Sequence, residues 1–210
     1  MKNKRTGIAN ILKVYEQATA AEKIDGLNWY LVARAYCAEA AGKFNVPLDT
    51  AIAVLAALSP RNKWKQNLKD LVTVLQANSE GRGPESIRVG TFTKNKEKAF
   101  RILRENNPSL AYTSKKVRSF CHNIGYTESK EVTVDIHAFS IYMGKRSEPW
   151  SLTDTDYDTI ASAYKIAAKK FGLRPYELQA ICWLAWIRLT KSHRVEKLKR
   201  QPAIPLKIAA

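Results

Sequence analysis

Apolar residues recur at spacings of three and four along most of the chain, as in Leu68, Leu71, Val72 and Leu75, and again in Ile160, Ala161, Ala163, Tyr164, Ala167, Ala168 and Phe171. That is the period of a helix with one buried face. Alternation with period two is confined to two short words, Ile87-Arg-Val and Val132-Thr-Val, each bounded by polar or turn residues. The pattern predicts an all-α chain with helices over residues 7–20, 27–43, 48–58, 61–77, 94–105, 114–124, 135–143, 153–171 and 175–192. One connector stands out, Asn78-Ser-Glu-Gly-Arg-Gly-Pro-Glu-Ser, where Gly and Pro interrupt the periodicity. No internal repeat is evident.

Composition narrows the class. With 45% apolar and 26% charged residues in 210, the chain reads as globular, with a core to bury. The longest apolar runs, Ala51 to Leu58 and Ala180 to Ile187, fall short of the ~20 residues that a membrane span requires. The basic N-terminus has no apolar stretch behind it, so the expectation is a cytoplasmic protein, nucleoid-associated in a bacterium, with no membrane role. Cys37, Cys121 and Cys182 are scattered and odd in number, and His122, His137 and His193 fit no metal-ligand spacing. No metal, iron–sulfur cluster or other cofactor is expected, and the cysteines read as small buried hydrophobes.

Charge changes the picture most. The net charge is +16, and the segment from Gly81 to Lys130 holds 11 Lys plus Arg against 4 Glu. A second cluster (Arg194, Lys197, Lys199, Arg200, Lys207) lies in residues 194–210, read as a basic mobile tail behind a single helical unit over residues 1–193. Phosphate is the natural partner of such clusters, because each cation beside a backbone phosphate releases condensed counterions. A solvated basic surface is the alternative.

The chemistry-bearing words are Leu110-Ala-Tyr-Thr-Ser-Lys-Lys116-Val and, with its aspartate nineteen residues beyond that lysine, Val132-Thr-Val-Asp135-Ile-His137. Here the chain resembles the helix-hairpin-helix DNA glycosylases, the superfamily of endonuclease III, adenine glycosylase and eight-oxoguanine glycosylase. The family's hairpin, apolar-Pro-Gly-apolar-Gly-x-Lys, lies over residues 106–124 with Lys116 at the catalytic lysine. Its apolar-x-Val-Asp-x-His word matches Asp135 and His137, and the lysine-to-aspartate interval fits best in the eight-oxoguanine branch. Ala53-Val-Leu-Ala-Ala-Leu-Ser-Pro-Arg61-Asn62 resembles the helix and turn that plug the gap left by a flipped base. Lys94-Asn-Lys96-Glu-Lys-Ala-Phe resembles the helix leading to the hairpin, and Ala180-Ile-Cys-Trp-Leu-Ala-Trp the closing helix. The likeness spans about residues 50–190. One departure concerns the hairpin glycines, replaced by Tyr112 and Ser114.

The resemblance implies a two-lobed helical glycosylase-like fold, a monomer that acts on double-stranded DNA, and excision of a damaged or modified base with β-lyase cleavage of the strand. A carboxylate such as Asp135 stabilises the oxocarbenium-like transition state, while Lys116 attacks C1′ as free amine, a form that Lys115 and Arg118 are placed to favour. Arg61, Asn62, Lys94, Lys96, Tyr112, Ser114, Lys115, Arg118 and His137 are the expected DNA contacts. Alternatives are a DNA-binding module that has lost the chemistry, and an enzyme of the same fold acting on hypermodified phage-type bases.

Each residue also has a structural reading. Asp135 suits a helix N-cap. Lys116 suits a solvated or phosphate-facing side chain, and His137 a residue that holds the first turn of its helix or a phosphate. Ser59-Pro60 suits a cap with Pro at the first helical position, leaving Arg61 and Asn62 in the first turn. Trp183 and Trp186 read as core, whereas Trp64 and Tyr112 lie in polar surroundings and read as stacking residues.

Overall fold

The computed structural model describes residues 3–147 and 152–199. Nine helices carry the described chain: α1 (Lys4–Glu16), α2 (Ala20–Phe44), α3 (Leu48–Leu58), α4 (Trp64–Ser79), α5 (Thr93–Glu105), α6 (Lys115–Gly125), α7 (Ile136–Met143), α8 (Asp154–Lys169) and α9 (Pro175–Lys199). Single 3₁₀ turns at Pro84–Ser86 and Pro108–Ala111 lead into α5 and α6. No strand occurs among the described residues, so the fold is all-α.

The helix ends follow local chemistry. Between α1 and α2 the expected single helix end at residue 20 is replaced by a stop and a start: Asn3 caps α1, and Thr19 with Glu22 forms a reciprocal capping box for α2. Helix α2 passes through Gly26, where the sequence reading began it one residue later, because the glycine serves a close helix contact. A Cβ there would lie 2.6 and 2.7 Å from the Ile181 Cα and N on α9. Asn45 and Asn106 close α2 and α5 in the left-handed conformation. Helix α9 runs to Lys199 rather than stopping at 192, since no Gly or Pro interrupts the chain before Pro202. Residues 194–199 of the expected tail are therefore helical, and the rest of that tail lies outside the described residues.

The strand-like word Val132-Thr-Val sits in an extended segment without a strand partner. The Tyr157 hydroxyl takes that place: it donates to the Val132 carbonyl at 2.7 Å and accepts from the Val134 N–H at 3.2 Å. The extended backbone is thus satisfied by one side chain of α8 instead of a ladder.

Two buried clusters form. The first gathers around α3, whose residues Thr50 to Leu58 are all buried, with α2, α4, α5 and α6 packed about it. The second joins α1 to α7, α8 and α9, so the chain's beginning packs against its later helices. Cys37, Cys121 and Cys182 are buried and unpaired, the first two in one cluster and the third in the other. Helices α2 and α9 run side by side and connect the clusters, fastened by the Gly26 contact and by Arg188 on Glu22 at 2.7 Å. No single described helix is long and apolar enough to cross a membrane.

Candidate functional site

A cavity of about 210 Å³ opens where elements of both clusters meet. Its wall is aromatic. Trp29 from α2 lies 4.7 Å from Trp64, 6.1 Å from Phe120 and 5.8 Å from Trp183, ring centre to ring centre. Tyr30, Asn67, Thr133 and Gln179 add a polar side, and Lys116, Asp135 and His137 complete the lining.

Lys116 and Asp135 are brought together by helix starts. Ser114 caps α6, accepting from the Val117 N–H at 3.3 Å, which sets Lys116 in the first turn. Asp135 caps α7, its Oδ1 accepting from the Ala138 N–H at 2.8 Å. The N-cap reading of Asp135 therefore holds, and the cap engages one carboxylate oxygen. Both residues are half-buried and also border a second hollow, shared with Ser114, Lys115, Ile136 and Tyr157. Each helix start leaves backbone N–H groups without intrahelical partners, which favours negative charge nearby. Among the described residues Lys116 makes no ion pair or side-chain hydrogen bond.

Behind the cavity runs a buried polar chain. The Ser129 hydroxyl donates to Asn123 Oδ1 at 2.7 Å, Asn123 Nδ2 donates to Thr133 Oγ1 at 3.1 Å, and Tyr30 Oη lies 3.0 Å from both Thr133 Oγ1 and Gln179 Oε1. Burial pushes the Tyr30 phenol well above its ordinary range; the Asp135 charge adds to the rise, and the Thr133 and Asn123 hydrogen bonds oppose it. Tyr30 thus stays protonated and donates.

The other expected contacts separate into groups. Asn62 and His137 line the cavity. Arg61 does not: it is exposed on the turn before α4 with φ +56°, its guanidinium 5.9 Å from the Phe92 ring centre. The expected Pro-started helix at residue 60 is overturned here, because α4 starts only at Trp64. The turn is braced from outside, by Thr91 Oγ1 on the Pro60 carbonyl at 2.8 Å and by buried Asp70, which accepts from Asn62 Nδ2 at 2.7 Å and the Gly90 N–H at 2.8 Å. Lys94 is exposed at the start of α5, whereas Lys96 donates to the Ile87 carbonyl at 2.9 Å and serves packing.

Lys115 and Arg118, expected to bias Lys116, are each paired with acid. Lys115 Nζ lies 2.7 Å from Asp158 and 3.8 Å from Asp154, and Arg118 lies 3.6 Å from Glu131. Their positive charge is largely offset where it stands. Tyr112 points away from the aromatic cavity, packs edge-on against His122 at 5.6 Å and borders a separate hollow with Arg34 and Tyr126. The hairpin has no need of glycine: Tyr112 has φ −78° and Ser114 φ −153°, and the Tyr112 and Thr113 N–H groups donate to Ser109 and Ala111 carbonyls. Those two amides are consequently turned inward.

Sequence reasoning missed Trp29, Tyr30, Asn67, Phe120, Thr133 and Gln179, and it placed Trp183 in the core although that ring lines the cavity. Trp64, read as a stacking residue, does line the cavity, and nothing in the local pattern marks the missed residues. Among the described residues no group of three His, Cys, Asp or Glu side chains is arranged to hold a metal.

The model of one protein family, DUF7178, described as a family of unknown function, matches residues 1–191. The chain belongs to this family. No curated protein and no solved structure matches it. The family match takes in α1 and α2, the two helices that precede the glycosylase-like words, and α2 supplies Trp29 and Tyr30 to the cavity.

Proposed function

We propose that this protein is a DNA glycosylase with lyase activity, on a two-lobed helix-hairpin-helix scaffold. The observation that carries the reading is the meeting of Lys116 and Asp135, nineteen residues apart in sequence, at one aromatic-walled cavity. The cavity's volume is below the ~300 Å³ at which drug-sized pockets begin, a size suited to a single flat ring system. A target base leaves the stack and enters between the rings, which costs least for damaged or mispaired nucleotides.

In the proposed reaction the Lys116 amine attacks C1′ as the bond to the base breaks. The base departs with the bonding pair and takes up a proton, and the amine loses one. Asp135 stabilises the positive charge that develops on the sugar. Opening of the sugar ring gives a Schiff base, from which loss of a C2′ proton expels the 3′ phosphate oxygen. The basic middle segment, with exposed Lys94 and Arg61 beside the cavity turn, supplies the attraction for the duplex.

A second reading, a DNA-binding module without chemistry, draws on the inward-turned hairpin amides. A panel of labelled duplexes, each with one lesion, separates the two. Release of a free base supports the glycosylase, and strand breaks without alkali support the lyase step. Binding with no base released from any duplex leaves the second reading standing.

A further inference from the structure

The buried polar chain behind the aromatic cavity has a direction, because each hydroxyl carries one proton. The Glu131 N–H donates to Ser129 Oγ at 3.2 Å, and the Ser129 hydroxyl passes its own proton to Asn123 Oδ1 at 2.7 Å. Asn123 Nδ2 donates to Thr133 Oγ1 at 3.1 Å, which sends the Thr133 proton to Tyr30 Oη and the Tyr30 proton to Gln179 Oε1, each across 3.0 Å. In this sense every proton of the chain meets an acceptor. In the opposite sense the Ser129 proton has none among the described residues.

The chain thus ends on the Gln179 oxygen and leaves the amide nitrogen over. Gln179, on α9, is 6% exposed, and the hollow that it borders is the aromatic cavity. Among the described residues, the buried polar side-chain atoms sealed from solvent without a partner are Asn62 Oδ1 and Asn67 Oδ1. Gln179 Nε2 also meets no acceptor there, but it is not sealed, and its opening is the cavity wall. Two N–H donors are therefore held toward the cavity without an acceptor, an arrangement that a ligand oxygen completes.

Resting on the reading of this cavity as a base pocket, we infer that Gln179 selects a base by its ring carbonyl and that Tyr30 sets this selection. A glutamine with both amide atoms free matches adenine bidentately, its oxygen on the exocyclic amino group and its nitrogen on the adjacent ring nitrogen. Here Tyr30 occupies the oxygen, so only donors remain. A 6-oxopurine sets its carbonyl oxygen against them while the ring stacks on the tryptophans; a 6-aminopurine sets N–H against N–H or gives up half of the match. Tyr30 acts through Gln179 and is a positioning residue.

Three of the five tryptophans line the cavity, so their fluorescence reports its occupancy. The test titrates the full-length protein with 9-methylhypoxanthine against 9-methyladenine, the methyl group standing where the sugar is attached. The oxo base should quench at concentrations about tenfold below the amino base. Gln179→Met, similar in length but without the amide, should close that gap, and Tyr30→Phe, which frees the Gln179 oxygen, should narrow it about threefold or more by strengthening the amino base. Helix content is checked by circular dichroism, and the wild-type ranking decides even where a variant does not fold. Equal quenching by both bases, a reversed ranking, no quenching by either, or a gap that survives in folded Gln179→Met overturns the inference. A gap unchanged in folded Tyr30→Phe overturns the part assigned to Tyr30. The lesion panel bears on the glycosylase reading separately, so base release combined with equal quenching here defeats this inference alone.

Discussion

In the proposed reaction Asp135 combines two tasks, because a carboxylate has two oxygens. One holds the Ala138 N–H and starts α7, and the cap thereby fixes the side chain at the cavity wall. Asparagine caps a helix about as well as aspartate, so Asp135→Asn should leave thermal stability within a degree or two. It should reduce base release by about 10²–10³ under single-turnover conditions while DNA affinity holds, since the negative charge is lost and the cap is kept. Asp135→Ala should in addition cost about 1 kcal/mol of stability through the missing cap. The cysteines give a test by pH. Burial pushes the Cys37 and Cys121 thiols up to about 12 from an ordinary value of 9.0. Between those values the unfolded chain releases thiol protons that the folded chain retains, so stability falls as pH rises through 9 to 12 and is unaffected by these groups below. Urea melts at pH 7, 9 and 11 should show that decline, and native thiols at pH 7 should resist alkylation.

At the scale of the elements, two glycines of α2 make opposite predictions. A Cβ at Gly26 would press on the Ile181 backbone, while one at Gly42 meets nothing within 4 Å. Gly26→Ala should lower Tm by several degrees, an overpacking cost of about 1–3 kcal/mol. Gly42→Ala should raise stability by about 0.5–1 kcal/mol through helix propensity. Most helix positions were legible in the sequence because their buried faces recur at three and four residues, and the Ser114 and Asp135 caps mark two of the starts; the Thr19 start of α2 was not read, because the apolar period runs on past it. The turn at residues 59–63 was not legible. Pro60 reads as a helix opener, but the bonds from Thr91 and Asp70, contributed by residues distant in sequence, hold Arg61 in the left-handed region. The pairing of Lys115 with Asp158 across 43 residues was hidden for the same reason: local pattern carries no information about which helix docks where.

Across the whole molecule, the cavity draws on α2, the turn at Ser59–Asn62, α4, α6, the extended segment before α7, and α9. The meeting of Lys116 and Asp135 was legible because both open helices in a recognisable order; of the aromatic wall only Trp64 was, since Trp29 reaches it through the packing of α2 on α9. In the proposed function the net charge of +16 would make duplex binding electrostatic, so log K against log[salt] should be linear with a slope of about −0.9 per phosphate contact. A slope near zero would contradict that. The central claim is that Lys116 is the nucleophile, and borohydride trapping during turnover on a cleavable duplex tests it most directly. The wild type and Lys115→Ala should both give a covalent protein–DNA adduct, and a folded Lys116→Ala should give none. Trapping that persists in Lys116→Ala, or base release with no adduct from any of the three proteins, would contradict the account.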